Sequence, residues 1–204
     1  MEAPLVVIGL GNPGSTYEAH RHNAGSLALQ GIEQYWRFPS FVNKKSFEFS
    51  AGLLEGCRVF LLRPLTFMND SGRAVGLCAN FYKLSSEAFL VLHDDIDLSF
   101  GTIKLKHGGG NGGHNGLRSI DSVLGPSYWR LRIGIGHPGH KGLVVPYVLS
   151  PFSKGEKEVL ASIFVTVAEQ LPLFVRGETT LFAQRLKAAL VAPDAPAEEE
   201  GNKI

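Results

Sequence analysis

Short apolar runs alternate with amphipathic helical patterns from residue 5 to residue 190, and this alternation narrows the chain to a few architectures. Leu5–Leu10 has the composition of a buried strand and ends in the glycine-rich turn Gly11–Gly14. A helical pattern follows from Asn23, which we predict as its N-cap, to Trp36. Because strands that alternate with helices pack as a sheet covered by helices, the pattern predicts an α/β protein.

The remaining segments continue the alternation and add one hairpin. The turn Glu55-Gly56 joins two consecutive strands directly, which argues against a purely parallel sheet. We therefore expect a single domain with a mixed, twisted β-sheet sandwiched between helices. The further predicted strands are Phe47–Leu53, Val59–Leu62, Phe89–Leu92, Thr102–Lys106 and Trp129–Ile135, and the further helices run from Asn69 or Ser71 to Tyr82, from Asn115 to Leu124, from a capping box at Ser153 toward Phe174, and from Thr180 to Leu190.

Length and composition describe one globular domain followed by a short tail. The 204 residues, 44% hydrophobic and 19% charged, suit a single core, which we place in residues 1–190. Residues 191–204 are acidic and poor in bulky apolar side chains, so we expect a disordered tail. No apolar run approaches the roughly 18 residues that span a bilayer, and we expect no signal peptide before the first strand. We therefore expect a cytoplasmic protein with no membrane role, in which Cys57 and Cys78 are reduced.

The net charge of +1 hides an uneven distribution of charge along the chain. Between Gly101 and Gly142 six basic residues accompany a single acid, Asp121. A basic segment of this kind is either a solvated face of the domain or a place where a polyanion docks. The basic residues are Lys104, Lys106, Arg118, Arg130, Arg132 and Lys141.

The turn after the first strand has the spacing of a dinucleotide-binding fingerprint, Gly9-Leu-Gly-Asn-Pro-Gly14. Such a site needs a helix N-terminus directly after the glycines, with free backbone N–H groups aimed at the pyrophosphate. Pro13 removes one of those N–H groups, and no helical pattern starts before Asn23. Glu33, at the distance of a ribose contact, lies inside the helical pattern rather than at the end of a second strand. The context therefore argues against a dinucleotide site.

Polar residues collect where the predicted strands end and the predicted helices begin. Taken singly, each of them suits a helix cap or the end of a strand. Ligands of open α/β folds bind at these same ends, so several such positions in one chain favour a shared cleft. The positions are Asn12, His22-Asn23, Met68-Asn69, His93-Asp94 and His114-Asn115.

Several blocks of the sequence carry a family pattern. They are Gly9-Leu-Gly-Asn-Pro-Gly14 with Tyr17, Arg21-His-Asn-Ala-Gly25, Pro64-Leu-Thr-Phe-Met-Asn69 with Ser71-Gly72, His93-Asp-Asp-Ile-Asp97, Gly108-Gly-Gly-Asn-Gly-Gly-His-Asn-Gly116 and Arg130-Leu-Arg-Ile-Gly-Ile-Gly-His-Pro-Gly139. In order and spacing these blocks resemble the bacterial-type peptidyl-tRNA hydrolase family over nearly the whole chain. Asp95, where glutamate is usual, and Asn111, where histidine is frequent, depart from the family pattern, and we assign chemistry to neither.

The resemblance implies a monomeric α/β enzyme that hydrolyses the ester between a peptide and the tRNA 3′ adenosine, which releases free tRNA for reuse in translation. It implies no metal and no organic cofactor. By the same resemblance His22 takes the proton of the attacking water, and Asp94 orients the imidazole and stabilises the imidazolium. The chain has no nucleophile-elbow pattern such as G-x-S-x-G, so direct attack by water is favoured over an acyl-enzyme.

The resemblance also suggests contacts with both parts of the substrate. Asparagine amides can bind peptide carbonyls, peptide N–H groups or the oxyanion, and Met68 offers adaptable apolar contact, although core packing suits it equally. Lys104, Lys106 and Arg132 match family positions that contact tRNA phosphate, and glycines 108–113 allow close backbone approach. The predicted substrate-binding residues are Asn12, Tyr17, Met68, Asn69 and Asn115.

The residues leave two other functions open. A metal-dependent hydrolase could draw its ligands from His20, His22, His93, Asp94 and Asp97, although two histidines at i and i+2 on a loop are not a zinc signature. An RNA-binding module could use the basic segment alone. That module would bind tRNA without hydrolysis, and it gives no reason for the placement of the asparagines and Asp94.

Overall fold

Within residues 4–190, the part of the chain that the computed structural model describes, seven strands form one mixed sheet. The strands are β1 (Leu5–Gly9), β2 (Val42–Asn43), β3 (Phe47–Leu54), β4 (Cys57–Pro64), β5 (Phe89–Asp95), β6 (Ile103–His107) and β7 (Trp129–Gly134). Their order is β2-β3-β4-β1-β5-β7-β6. The central strands β4, β1, β5 and β7 are parallel, and the others run antiparallel to their neighbours. The tail predicted to be disordered lies outside the described residues.

Helices cover both faces of the sheet. One face packs against α1 (Ala24–Trp36), α5 (Lys154–Val175) and α6 (Thr179–Leu190), and the other against α2 (Ser71–Tyr82) and α3 (Asn115–Leu124). A short helix, α4 (Val144–Val148), follows β7. Successive strand residues point to opposite faces, so neighbouring residues of β1 and β5 serve different cores. The fold is therefore the predicted α/β domain with a mixed sheet between helices.

Helix α1 approaches the sheet closely because a glycine stands at the contact. A Cβ atom on Gly25 would lie 2.1 Å from the backbone oxygen of Leu92, a position that only hydrogen can share. The backbone N–H of Ser26 donates to the oxygen of Leu10 at 2.9 Å. This contact places the residues before α1 at the carboxyl ends of β1 and β5. The sequence predicted that no helix follows the glycine turn directly, and the structure confirms this, since α1 begins only at Ala24.

The predicted capping role of Asn23 is wrong. Asn23 precedes α1, but its side chain makes no cap hydrogen bond. Its Oδ1 accepts the backbone N–H of Asn12 at 3.0 Å, and its Nδ2 donates to the backbone oxygen of Asn12 at 2.9 Å. A 3-10 turn at Arg21–Asn23 leads into the helix. The side-chain amide of Asn23 therefore makes two hydrogen bonds to the turn that contains Asn12, whereas capping the helix would give it one.

Helix α5 contradicts the expectation that no segment is long and apolar enough to span a bilayer. It meets that criterion by length and composition, with a mean hydropathy of 1.6, and 44% of its most apolar window is buried in the domain. A core helix of a globular domain passes the same test. Leu160, Phe164 and Leu171 bury one side of α5 in the core that it shares with α1 and the sheet. The capping box predicted at its start, Ser153 with Glu156, is present.

Candidate active site

Asp94 lies at the centre of the candidate site, where β5 extends beyond the end of β1. Its side chain is 3% exposed and accepts hydrogen bonds from two histidine rings. Nδ1 of His22 lies 2.9 Å from each carboxylate oxygen, and Nε2 of His114 lies 2.9 Å from Oδ1. The structure therefore brings the predicted pair together and adds His114, which the sequence placed among the polar residues at element ends but gave no catalytic role.

The hydrogen bonds indicate which nitrogen of each ring carries a proton. An ionised carboxylate only accepts, so both nitrogens that face Asp94 donate to it. Nδ1 of His114 accepts the backbone N–H groups of Gly116 and Leu117 at 3.1 and 3.3 Å, which leaves its proton on Nε2. Nε2 of His22 has no hydrogen-bond partner within residues 4–190, so an unprotonated His22 keeps a free lone pair on that atom.

Burial and charge act against each other at this group. Burial favours a higher pKa for Asp94, but His114 and His22 beside it hold that pKa well below its ordinary value. Burial favours a lower pKa for His22, but the charge and hydrogen bond of Asp94 outweigh burial and raise that pKa above 6.5. Asp94 is therefore ionised at neutral pH, and His22 becomes a stronger base than an isolated histidine.

His93 is buried beside the pair but is unsuited to proton transfer. Burial, together with the nearby His114, lowers the pKa of His93 to about 3, so its ring is neutral at physiological pH. Its Nδ1 donates to the backbone oxygen of Asp94 at 2.7 Å. This bond fixes the end of β5 and therefore supports the carboxylate from behind.

Asn12 is held in one orientation by its neighbours. Its Oδ1 accepts the backbone N–H of Met68 at 2.8 Å, and its backbone forms the two bonds to Asn23 described above. Because Oδ1 is occupied, Nδ2 is the atom left to donate to a ligand. The bonds to Asn23 link this amide to the residue that follows His22.

Met68 and Asn115 both lie near the start of α3. Met68 is 4% exposed and packs in the core, and a Cβ atom on Gly116 would lie 2.5 Å from its sulfur. The side-chain oxygen of Asn115 accepts from Nη1 of Arg118 at 3.3 Å, so its Nδ2 remains available as a donor. Core packing, the alternative weighed for Met68, is present in the structure.

Tyr17 and Asn69 lie on the side of the site formed by the turns after β1 and β4. Tyr17 packs edge-to-face against the exposed ring of Phe67, with 6.2 Å between ring centres. Asn69 is exposed in the 3-10 turn Met68–Asp70, which contacts α3. Of the predicted substrate-binding residues, Asn115 lines the cavity that contains His22, whereas Asn12, Tyr17, Met68 and Asn69 lie outside it.

The predicted tRNA-binding residues lie on the strand pair β6–β7. The register places Lys104 beside Arg132 and Lys106 beside Arg130. Nε of Arg132 donates to Oδ2 of Asp95 at 2.6 Å. Asp95, which received no role from the sequence, therefore orients the guanidinium of Arg132. Lys106 and Arg132 line the cavity beside His22, whereas Lys104 lies outside it.

Arg130 does not belong to the exposed basic surface that the sequence suggested. It is 2% exposed, and its Nη1 donates to the backbone oxygen of Gly110 at 2.7 Å. Its Nη2 donates to Asp121 at 3.1 Å, and the other oxygen of Asp121 accepts from Asn111 at 3.4 Å. These bonds anchor the glycine-rich segment 108–113 against α3, so both Arg130 and Asn111 shape the cavity wall.

A cavity of about 550 Å³ opens beside His22 and Asp94. Val144, Val145 and Val148 form an apolar wall, while the glycine-rich segment and the basic side chains form polar walls. None of the described residues that line it is a serine, threonine or cysteine. The arrangement can deprotonate a water molecule and hold an apolar group beside it. A hydrolase that uses water directly as the nucleophile requires both properties.

Three of the described acids and histidines could also surround a metal ion. Ligand atoms of His22, Asp94 and His114 lie within 4.8 Å of one another. This set shares only His22 and Asp94 with the ligands suggested by the sequence. Nε2 of His114 carries a proton because Nδ1 accepts backbone N–H groups, and a protonated nitrogen cannot bind a metal. The hydrogen-bond pattern therefore favours a carboxylate shared by two rings over a metal site.

Comparisons with known proteins assign this chain to a family. The sequence model of the family "Peptidyl-tRNA hydrolase" matches residues 6–193. A peptidyl-tRNA hydrolase of Rhodospirillum rubrum is 45% identical over 183 residues, covering 90% of this chain and 75% of the relative. One from Bartonella henselae is 43% identical over 185 residues, covering 91% of this chain and 96% of the relative. The crystal structure of peptidyl-tRNA hydrolase from Acinetobacter baumannii superimposes with a TM-score of 0.87 at 38% identity, covering 92% of this chain and 96% of that one.

The chain belongs to the peptidyl-tRNA hydrolase family. The fold, the family and the hydrolase activity predicted from the sequence are thereby confirmed. The roles of individual residues, the contacts with tRNA and the monomeric state remain predictions.

Proposed function

We propose that this chain hydrolyses peptidyl-tRNA by direct attack of a water molecule that Nε2 of His22 deprotonates. The water oxygen attacks the ester carbonyl carbon, and its proton passes to His22. Collapse of the tetrahedral intermediate breaks the bond to the ribose oxygen, which takes the proton back from His22. The products are tRNA with a free terminal hydroxyl and a peptide with a free carboxyl group, which then loses its proton to solvent at neutral pH.

The observation that carries this proposal is the contact of Asp94 with Nδ1 of His22. It turns Nε2, the basic atom, away from the carboxylate, and it stabilises the imidazolium that forms during the reaction. His114 supports the same carboxylate from its other side. The base is therefore oriented before substrate binds, which lowers the reorganisation that the reaction requires.

The asparagines supply donors for the acyl group. With Oδ1 of Asn12 occupied by Met68 and Oδ1 of Asn115 by Arg118, both residues present Nδ2. Amide donors of this kind suit the peptide carbonyl or the oxyanion that develops from the ester. Asn69 and Tyr17 would extend these contacts along the peptide, and Met68 would support them from the core.

The basic side chains of β6 and β7 supply the contacts with tRNA phosphate. Arg132, oriented by Asp95, presents the outer edge of its guanidinium, and Lys104 and Lys106 lie on the same face. Such contacts position the tRNA without reading its sequence. We expect a monomer in the cytoplasm, where the substrate forms, and no cofactor is needed for the steps above.

The test is release of the N-acetyl amino acid from N-acetyl-aminoacyl-tRNA in single-turnover conditions. We expect His22→Ala to lower the rate by at least about 10³-fold, and Asp94→Asn by about 10²-fold or more, because these residues act as a unit. His107→Ala is the matched control, since it breaks an exposed histidine–carboxylate pair with Glu87 at 3.0 Å. Activity equal in all four proteins would contradict the proposal.

A chelator distinguishes the metal-dependent alternative. The proposal predicts the same rate after the enzyme has been treated with EDTA and dialysed. A loss of activity that added zinc or manganese restores would favour a metal ion at His22, Asp94 and His114 instead.

A further inference from the structure

Arg21, the residue before the proposed base, is held on three sides. Its Nη1 and Nη2 donate to the two carboxylate oxygens of Glu156 at 2.8 and 3.0 Å. Its Cζ lies 4.7 Å from the ring centre of Tyr147 and 4.9 Å from that of Phe152. The side chain is 11% exposed. A guanidinium that bonds one carboxylate through two nitrogens and also packs against two aromatic rings has little freedom to move.

The partners of Arg21 are themselves fixed. Glu156 belongs to the capping box of α5, in which its Oε2 accepts the backbone N–H of Ser153 at 2.7 Å. The hydroxyl of Tyr147 donates to the backbone oxygen of Ile135, just after β7. Arg21 is therefore anchored to the first turn of α5 and, through Tyr147, to α4.

Backbone contacts bring the same two segments together. The N–H of Arg21 donates to the oxygen of Ser150 at 3.0 Å, and the N–H of Phe152 donates to the oxygen of Ala19 at 3.0 Å. The residue between, His20, pairs with Pro151 in an antiparallel bridge. The chain that enters the His22 turn is thus laid against the chain that joins α4 to α5.

Helix α4 faces two ways. Val144, Val145 and Val148 line the cavity with His22, while Tyr147 of the same helix contacts Arg21. A single arginine therefore connects the apolar wall of the cavity to the turn that carries the base.

We propose that Arg21 is a positioning residue for His22. Its bonds to Glu156 and its contacts with Tyr147 and Phe152 hold the turn so that Nδ1 of His22 faces Asp94. They also tie that turn to the α4 wall, so that the acyl pocket and the base keep a fixed distance. The inference rests on the proposed function, because it takes His22 as the base. Arg21 itself touches no reacting atom.

The experiment compares Arg21→Met and Arg21→Lys with native enzyme by kcat, KM and the pH dependence of kcat. We expect Arg21→Met to lower kcat roughly 10- to 100-fold with KM changed less than about 2-fold, because a base misplaced by about 1 Å loses that much rate. The acid limb of the profile moves to lower pH, since His22 loses contact with the charge of Asp94 and remains buried. Arg21→Lys, which keeps the charge but not the bidentate fork, restores part of kcat.

Three further variants isolate the positioning role. Arg63→Met is the matched control, because Arg63 also bonds a carboxylate, Glu48 at 3.0 Å, and lies 4.7 Å from an aromatic ring, Phe41, but does not line the cavity. We expect native kcat and a native pH profile for it. Glu156→Gln keeps a residue that suits the capping box and removes only the charge pair, so it serves if Arg21→Met does not fold. Arg21→Met combined with Asp94→Asn should cost little more than Asp94→Asn alone.

A purely structural role for Arg21 predicts a different result. In that case the melting temperature falls while kcat per folded molecule and the midpoint of the acid limb stay native, and the inference is overturned. The inference would also be overturned if the double variant lost kcat by the full product of the fold-losses of Arg21→Met and Asp94→Asn. His22→Ala, run in the same assay, separates the two failures, since retained activity there would refute the proposed function itself.

Discussion

Asp94 accepts hydrogen bonds from two histidine rings, and the rings differ in what binds their other nitrogen. His114 is tied by backbone N–H groups of α3, whereas Nε2 of His22 is left for a ligand. One ring is therefore structural support for the carboxylate and the other is the proposed base. The residue types alone, two histidines and an aspartate, could not distinguish these roles.

The raised pKa of His22 sets the direction of the pH dependence. Only unprotonated His22 takes a proton from water, so kcat falls as the pH decreases through a pKa above 6.5. In Asp94→Asn the charge that raises this pKa is gone while burial, which lowers it, remains. We expect the acid limb of that variant to move to lower pH at a much reduced kcat. A profile measured between pH 5 and pH 8 checks this, and an unmoved limb would show that another group controls the rate.

His114 makes two kinds of contact, one with Asp94 and one with the backbone at the start of α3, and a pair of substitutions distinguishes them. His114→Ala removes both the bond to Asp94 and the N-cap of α3, so we expect kcat to fall roughly 10-fold, in the range of residues that orient a ligand or base. It should also lose about 1 kcal/mol of stability with the cap. His114→Asn restores an N-cap acceptor but not the contact with Asp94. The free energy of unfolding, measured in urea, should then return to its native value while kcat stays low. Recovery of both quantities would mean that His114 acts only through the cap.

Sequence reasoning found His22 and Asp94 but missed His114, Asp95 and Asn23 as supports. Family blocks draw attention to the residues that define a pattern, and supports are defined by contacts between segments far apart in sequence. His114 did carry one signal, since it precedes a helix among the polar residues at element ends. Asn23 was assigned to a local cap because a sequence shows local partners and not the turn that lies across the fold.

At the scale of elements, the position of α1 on the sheet decides where His22 lies. Gly25→Ala would place a methyl carbon 2.1 Å from the backbone oxygen of Leu92. We expect α1 to move away from β5, with a loss of roughly 3 kcal/mol in the free energy of unfolding. The kcat of the folded fraction should fall as well, because His22 moves from Asp94. Thermal unfolding and single-turnover assays measure the two effects.

The matched control is a glycine in another helix without a close neighbour. Gly155 lies in the first turn of α5, and a Cβ atom there meets nothing within 4 Å. Gly155→Ala should keep native activity and change stability by less than about 1 kcal/mol, with stabilisation the favoured direction. If both substitutions behaved alike, the close approach of α1 to the sheet would not be what positions the base.

The predicted elements that the structure confirms are those with a clear hydrophobic period or a strong boundary signal. Helix α5 shows its capping box, and the hairpin of β3 and β4 shows its turn at Glu55-Gly56. The missed elements, β2 and α4, have two and five residues, too few to display a period. Strand β5 continues through Asp95 beyond its predicted end because pairing with β7 holds polar residues in the sheet.

At the scale of the whole molecule, two lysines extend the basic side of the site to the edge of the sheet, where Lys104 lies beside Arg132 in the register of β6 and β7. Lys104 and Lys106 lie on the edge strand β6, so we expect Lys104→Ala and Lys106→Ala each to raise KM and to reduce its log–log salt slope by about 1. The kcat should stay near native, because neither residue touches His22. Lys157→Ala, on the outer side of α5, is the control and should leave KM and slope unchanged. Loss of kcat with an unchanged slope would exclude electrostatic docking.

The overall architecture was predictable because it depends on patterns that repeat along the chain, whereas the strand order was not. The order places β1 between β4 and β5, and the register pairs its residues with residues 54 positions later in β4 and 83 positions later in β5. Such pairings depend on which apolar faces fit together, and a single sequence does not record them. The charge on β6 was visible in the sequence, but the burial of Arg130 followed only from the packing of α3.

The residues that form the site are far apart in sequence, so the site forms late while the chain is being synthesised. His22 and Asp94 lie 72 positions apart, and Asp94 needs β7, which ends at Gly134, as its neighbour in the sheet. Contacts of such long range form only after all the participating segments have left the ribosome. A growing chain is itself a peptidyl-tRNA, joined to tRNA by the ester that this family hydrolyses. The nascent enzyme is thus without a working site until the strands through Gly134 have been made.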